Sequence, residues 1–307
     1  MAVYTPINKS ELDTWLANFS IGSLKNFKGI SSGVTNTNYL VETESSRFIL
    51  TIFEHNQLKE LLFFFDLMNF LSDKNFSCPQ PIVNNNGSYL TPLKGKPAAL
   101  VSFLIGSAKD SGTESDCYSV GLTLGRLHTQ AKNFTQTRDN NRGIAWISSK
   151  YNDLKPFLSV ADRRIIELEI DYQKNCYHDS LPTGIIHGDL FRDNVFFDKN
   201  GVSAFIDFYY ACNDQLLLDI AITINDWCSD SNGCIDKRKF DNFLSGYESI
   251  RKLENSEHKC INNAMRFAAL RFWLSRLDAC HNILDGEITS IKDPNYFKKV
   301  LMDRHVL

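Results

Sequence analysis

The sequence predicts an α+β protein of two domains, a small β-rich one followed by a larger, mainly helical one, and three observations carry that prediction. At 307 residues the chain exceeds the usual size of a single domain. Its first hundred residues alternate short apolar runs with turn residues, the mark of strands. Beyond Gly106 the apolar positions recur mainly at helical spacing over longer stretches. With 43% hydrophobic residues, both parts can fill a core. Two domains sharing one cleft is the expected arrangement.

In order along the chain, residues 30–41 (ISSGVTNTNYLV) read as a small-residue loop followed by a strand, and residues 47–53 (RFILTIF) as its partner. Residues 58–72 form a predicted helix that ends at SCPQP. NNNG turns into a strand at 88–92, and the continuous apolar run 98–105 is a buried strand leading into Gly106. Gly106 marks the boundary between domains 1–105 and 106–307. A polar connector and a helix over 117–131 follow, then helices at about 160–178, 214–228, 236–251 and 258–284.

Between those helices lies IIHGDLFRDNVFFDKNGVSAFIDFYY, residues 185–210. Its Asn-Gly pair between two apolar runs is the strongest short-range hairpin signal. Folding VFFD back on SAFID brings Asn194 near Asp207, at the open ends of the two strands. Both side chains offer hard oxygen donors, which suit Mg²⁺, an ion that takes one or two protein oxygens and completes its shell with water and phosphate. Asp189, in the loop just before, is placed to take a proton from an attacking hydroxyl. Asp189, Asn194 and Asp207 at these intervals fit phosphoryl transfer, where positioning and charge neutralisation do most of the catalysis.

The stretch HGDLFRDNVFF…FIDFYYA resembles the catalytic segment of the aminoglycoside phosphotransferase and choline kinase superfamily, small-molecule relatives of the protein kinases. That resemblance implies a protein-kinase-like two-lobed fold, with ATP and Mg²⁺ as cofactors. It implies Asp189 as catalytic residue, Asn194 and Asp207 as metal ligands, and Asp219 as a structural brace for the loop. In the first lobe it implies a phosphate-facing turn at Ser32, Gly33 and Val34, although SSGVTN also reads as an ordinary hairpin turn. There is no GxGxxG and no Walker motif. It further implies Glu60 as the acid of the first-lobe helix and the segment at Phe103 as the hinge that meets adenine. The strand position where the family carries its phosphate-binding Lys is Thr51. Two readings of Thr51 stand: a branch that works without the Lys, or a non-catalytic nucleotide-binding protein.

SSGVTNTNYLVET, RFILTIFE, INDWC and AALRFWLSRLDAC narrow the resemblance to the bacterial homoserine kinases of that fold, over about residues 31–279. It implies transfer of the ATP γ-phosphate to the hydroxyl of L-homoserine. A kinase of another small alcohol, an aminoglycoside, choline, ethanolamine or a sugar, is the alternative. An amino acid needs a carboxylate partner, for which Arg271 or Arg276 is the candidate, since Arg suits planar bidentate recognition. Asp226 is the candidate ammonium partner. His128 reads as a packing residue on a helix face.

Composition excludes much else. The net charge of −3 without a basic stripe leaves no electrostatic footprint for nucleic acid. No apolar run approaches a membrane span, and the first residues do not read as a signal peptide. The eight cysteines are scattered and form no CxxC pair, as expected of reduced thiols in a cytoplasmic protein. The expected partners are ATP and a small hydroxyl substrate, with the oligomeric state left open.

Overall fold

In the computed structural model, residues 4–30, 36–56, 58–176, 181–281 and 292–306 are described. The chain divides into two compact units, one running to Ile105 and the other starting at Gly106.

The first unit opens with helix α1 (Lys9–Leu16), started by a reciprocal capping box between Asn8 and Glu11. The strands are β1 (Leu24–Gly29), β2 (Thr37–Thr43), β3 (Arg47–Ile52), β4 (Pro81–Ile82), β5 (Thr91–Leu93) and β6 (Lys96–Ser102). They build an antiparallel sheet of order β1-β2-β3-β6-β4, with β5 paired to β6. Tyr39, Val41, Phe48, Leu50, Ile52, Ala98 and Leu100 of the sheet form a core cluster with Leu12, Trp15 and Leu16 of α1. Helix α2 (Leu58–Asp73) is apolar on most sides and buries Phe63, Phe64, Phe65, Leu67, Met68 and Leu71. The strand expected at 88–92 begins only at Thr91, because the Asn84 side chain accepts from the amides of Asn86 (3.0 Å) and Ser88 (2.9 Å) and curls that stretch into a turn. Neither α1 nor β1 was among the expected elements.

The second unit contains helices α3 (Glu114–Ala131), α4 (Ile144–Leu154), α5 (Val160–Asn175), α6 (Leu216–Trp227), α7 (Lys237–Glu248), α8 (Asn255–His281) and α9 (Pro294–Arg304). Among them lie two antiparallel pairs, β7 (Thr183–Ile186) with β10 (Cys212–Gln215), and β8 (Val195–Asp198) with β9 (Gly201–Phe205). Helix α3 starts three residues earlier than expected, at a Thr113/Asp116 capping box. Helices α3 and α7 cross at backbone contact: a Cβ on Gly121 would lie 2.1 Å from the Phe243 carbonyl, and one on Gly246 2.0 Å from that of Tyr118. Every residue of α6 is buried, so it is the spine of the unit. Among the described residues no helix is long and apolar enough to cross a membrane, and all eight cysteines are free thiols.

The β8–β9 hairpin forms across the Asn200-Gly201 turn, with Val195 opposite Phe205. Strand β9 is shorter than expected. It stops at Phe205, and Asp207 adopts a left-handed backbone (φ 63°, ψ 60°) before a short 3-10 turn. A non-glycine residue in this region costs roughly 1–3 kcal/mol and such residues concentrate at functional sites.

Candidate active site

Strand β7 delivers the chain to His187, Gly188 and Asp189. Gly188 has φ +77°, and a Cβ there would sit 2.8 Å from the Tyr210 carbonyl, so only glycine fits. The turn is held from behind by Asp219 in the first turn of α6. One carboxylate oxygen accepts from the amide of His187 (2.7 Å) and the other from that of Gly188 (2.9 Å). Burial pulls the Asp219 carboxyl upward, but the hydrogen bonds from His128 and His187 outweigh it and hold the group below its ordinary range. The buried ring of His187 donates from Nε2 to the Ile206 carbonyl at 2.9 Å and accepts the Asp189 amide on Nδ1 at 3.3 Å. Burial lowers its pKa, which keeps the ring neutral.

Asn194 and Asp189 are joined directly. The Asn194 amide nitrogen donates to the Asp189 carbonyl (2.8 Å) and carboxylate (3.1 Å). The carbonyl of Asn194 receives the Ile206 amide at 3.0 Å, which brings Asp207 to the same end of the hairpin. The ladder puts Ile206 opposite Asn194, with Asp207 next along the chain, and is irregular at Phe196/Phe197. Asp189 is raised well above an ordinary carboxylate by burial first and by the Asp207 charge second, with Arg271 opposing. Asp207 is open on one side but ringed by protein, and the resulting desolvation pushes it up to about 6.

These residues fit a Mg²⁺ site. The Asn194 nitrogen is spent on Asp189, which turns its amide oxygen the other way, and the Asp207 carboxylate is a second hard oxygen donor. Among the described residues no three His, Cys, Asp or Glu cluster as a metal cage. Two protein oxygens are the sparse shell expected of an ion that also binds phosphates and water.

Two of the residues expected to meet an amino-acid acceptor have other work. Arg271 is 3% exposed and donates from Nη2 to the Gly188 carbonyl at 3.0 Å. It lies under the His187–Gly188 turn, because its position on α8 faces the core. Asp226 is occupied by Arg192, whose amide (2.8 Å), Nε (3.1 Å) and Nη2 (3.2 Å) all donate to it, so it is no free ammonium partner. Arg276 is half-buried, donates to the Asp293 carbonyl at 3.0 Å and lies over the Phe297 ring at 4.4 Å. Arg276, Asp226 and Arg192 line a recess of about 430 Å³ with Asp193, Lys292 and Tyr296. The Tyr296 hydroxyl is buried and has no hydrogen-bond partner among the described residues.

In the first unit, Thr51 is buried on β3 and donates to Asn38 Oδ1 at 2.8 Å. No positive charge stands at that position. Glu60 is half-buried in the first turn of α2. Phe103 follows β6, with its amide on the Arg47 carbonyl at 3.3 Å and the Arg47 guanidinium 4.1 Å above its ring. Ser32, Gly33 and Val34 lie outside the described residues. Sequence reasoning missed His128, which touches Asp219 (3.1 Å) across 91 residues of chain, and no local signal announces that contact.

The profile of the phosphotransferase enzyme family matches residues 26–253. Proteins named homoserine kinase from Methylobacillus flagellatus and Neisseria meningitidis are 41% and 39% identical to the chain, each over 98% of it and over 94% and 99% of their own length. Among solved structures, the amicoumacin kinase hAmiN, in complex with AMP-PNP, Ca²⁺ and Ami, superposes with a TM-score of 0.71 at 16% identity, covering 97% of this chain and 92% of its own. Choline kinase from Cryptosporidium parvum gives 0.65 at 17%, covering 98% and 91%. These folds share the β-rich first part and helical second part found here, and the chain belongs to the phosphotransferase enzyme family.

Proposed function

We propose that this protein transfers the γ-phosphate of ATP to the side-chain hydroxyl of L-homoserine, the phosphorylation that leads toward threonine. The observation that carries the chemistry is the direct bond between Asn194 and Asp189, which ties a hydroxyl-facing carboxylate to a metal-facing amide. The choice of acceptor is supported by relatives named homoserine kinase, 34% to 41% identical over nearly the whole chain. Nucleotide binding is supported by the fold, since solved relatives carry AMP-PNP or ADP.

Asp189 accepts the proton of the acceptor hydroxyl. Asn194 holds Asp189 in place through two hydrogen bonds and, with Asp207, would hold Mg²⁺. Held there, Mg²⁺ would supply positive charge against the charge that builds on the transferring phosphate. Ser32, Gly33 and Val34, with the Glu60 helix and the Phe103 segment, would bind the nucleotide. The recess beside Arg192 and Asp193 carries both signs of charge, as an amino-acid zwitterion requires. There Arg276 keeps guanidinium nitrogens for the acceptor carboxylate, and the unpartnered Tyr296 hydroxyl offers one more polar contact. Eight free thiols support a cytoplasmic residence.

The test is ATP turnover measured with a panel of hydroxyl compounds. L-Homoserine alone is expected to stimulate it strongly; stimulation by choline or kanamycin instead sinks the acceptor assignment. Asp189→Asn is expected to lower kcat by about 10²–10⁴-fold while Mg-ATP binding stays nearly intact. Loss of nucleotide binding in that variant would mean Asp189 has another role.

A further inference from the structure

Behind the catalytic loop a line of buried polar groups runs from α8 to Asp219, and counting donors along it leaves one solution. Glu257, in the first turn of α8 and 0% exposed, receives both terminal nitrogens of Arg251, Nη1 at 3.0 Å and Nη2 at 2.9 Å. Arg251 Nη1 also donates to the Tyr247 hydroxyl oxygen at 3.1 Å. A guanidinium has donors only. The Tyr247 hydrogen must therefore point away from Arg251, and the atom it meets is Nδ1 of His128 at 2.8 Å.

His128 Nδ1 then accepts, so the ring hydrogen sits on Nε2 and is donated to Asp219 at 3.1 Å. The opposite tautomer fails twice: it strands the buried Tyr247 O–H, and it sets the Nε2 lone pair against a carboxylate oxygen. A doubly protonated ring still strands the Tyr247 hydrogen. An unpaired buried donor forfeits its solvation with no return. Tyr247 reaches this place because Gly121 and Gly246 let α3 and α7 touch backbone to backbone.

We propose that Tyr247, held by Arg251, is a positioning residue for the catalytic loop: it locks His128 as the Nε2–H tautomer and so supplies the third donor on Asp219, the carboxylate that shapes the His187–Gly188 turn presenting Asp189. Glu257 anchors the line at its far end. None of these groups touches the reacting atoms. Their effect passes through Asp219, whose other two donors are the loop amides themselves.

Nitrogen-15 NMR of histidine-labelled native protein reads the tautomer directly. His128 is expected with Nδ1 bare and Nε2 protonated, and a protonated Nδ1 overturns the proposal without any variant having to fold. Tyr247→Phe keeps the ring packing and deletes only the hydroxyl. It is expected to give mixed His128 tautomers and a kcat lower by about ten- to a hundredfold, with KM for nucleotide and acceptor within about twofold. A folded Tyr247→Phe enzyme with unchanged kcat, or with its loss confined to KM, overturns the proposal. The kinetic arm rests on the phosphotransfer reading, whereas the tautomer arm does not, so the two failures are distinguishable.

Discussion

The side-chain nitrogen of Asn194 donates at once to the carbonyl and the carboxylate of Asp189, at 2.8 and 3.1 Å. A single amide nitrogen thus orients the candidate base and leaves the Asn194 oxygen for another partner. Asn194→Ala is expected to lower kcat by about 10²–10³-fold and also to weaken Mg²⁺ dependence. Titrating activity against MgCl₂ checks both; an unchanged metal requirement would remove Asn194 from the metal shell.

The pH behaviour follows from Asp207, pushed up to about 6 by the desolvation of its recess. Between the ordinary value near 4 and about 6, the folded chain keeps a proton that the unfolded chain has released. Metal-free protein therefore loses stability as pH rises through that window. Cation binding needs the carboxylate and so gains over the same range. The rise in Tm produced by MgCl₂ with ADP is expected to be small near pH 5 and full by about pH 7.5. An equal rise at both pH values would show that Asp207 does not hold the ion.

Gly188 admits no side chain. Its φ of +77° and the 2.8 Å approach of the Tyr210 carbonyl predict that Gly188→Ala destabilises the protein by about 2–4 kcal/mol. Thermal unfolding measures this. A Tm within a degree of the parent would mean that the turn can relax at no cost.

Arg192 and Asp226 should behave as a unit. The Asp226 side chain is 7% exposed and that of Arg192 29%, so the pair is screened on one side only. Arg192→Met is expected to cost about 2–3 kcal/mol, below the full penalty of breaking a buried pair. The double variant with Asp226→Asn should recover part of it. A coupling energy near zero in the double-mutant cycle would return Asp226 to the list of free acceptor contacts.

Tyr296→Phe removes a buried hydroxyl that has no hydrogen-bond partner among the described residues. If that hydroxyl meets the acceptor, KM for L-homoserine rises by about tenfold, as loss of one neutral hydrogen bond of about 1 kcal/mol or slightly more would give. KM for ATP should not move. Steady-state kinetics with each substrate varied in turn separates the cases, and an unaltered acceptor KM would place the substrate elsewhere.

How much of this was legible in the sequence depended on how local the cause was. The hairpin that brings Asn194 and Asp207 to one end was readable because an Asn-Gly turn stands between two short apolar runs. The left-handed backbone of Asp207 was not, since an Ile-Asp-Phe run looks like continuing strand. Helices α1 and α9 carried unread signals, the Asn8/Glu11 capping box and the Asp293-Pro294 start, whereas α4 begins at Gly143 with no side-chain cap. The occupation of Asp226 by Arg192 and of His128 by Asp219 and Tyr247 depends on contacts 34, 91 and 119 residues apart. Periodicity says that a residue is buried, not what it will meet. Arg271 shows the same limit: its place on a broadly apolar helix was evident, but the carbonyl it serves was not.

The line from Glu257 to Asp219 also sets a timetable. His128 and the loop bearing Asp189 leave the ribosome before Tyr247, which follows His128 by 119 residues. Tyr247 follows Asp189 by 58 residues (247 − 189), so at about 5–20 residues per second the loop exists for roughly three to twelve seconds without its full set of supports. Nascent chains stalled before residue 257 would carry every candidate catalytic side chain and yet leave Asp189 loosely held. The rear support of the loop is complete only with the first turn of α8, so in time as well as in space the loop is braced from behind.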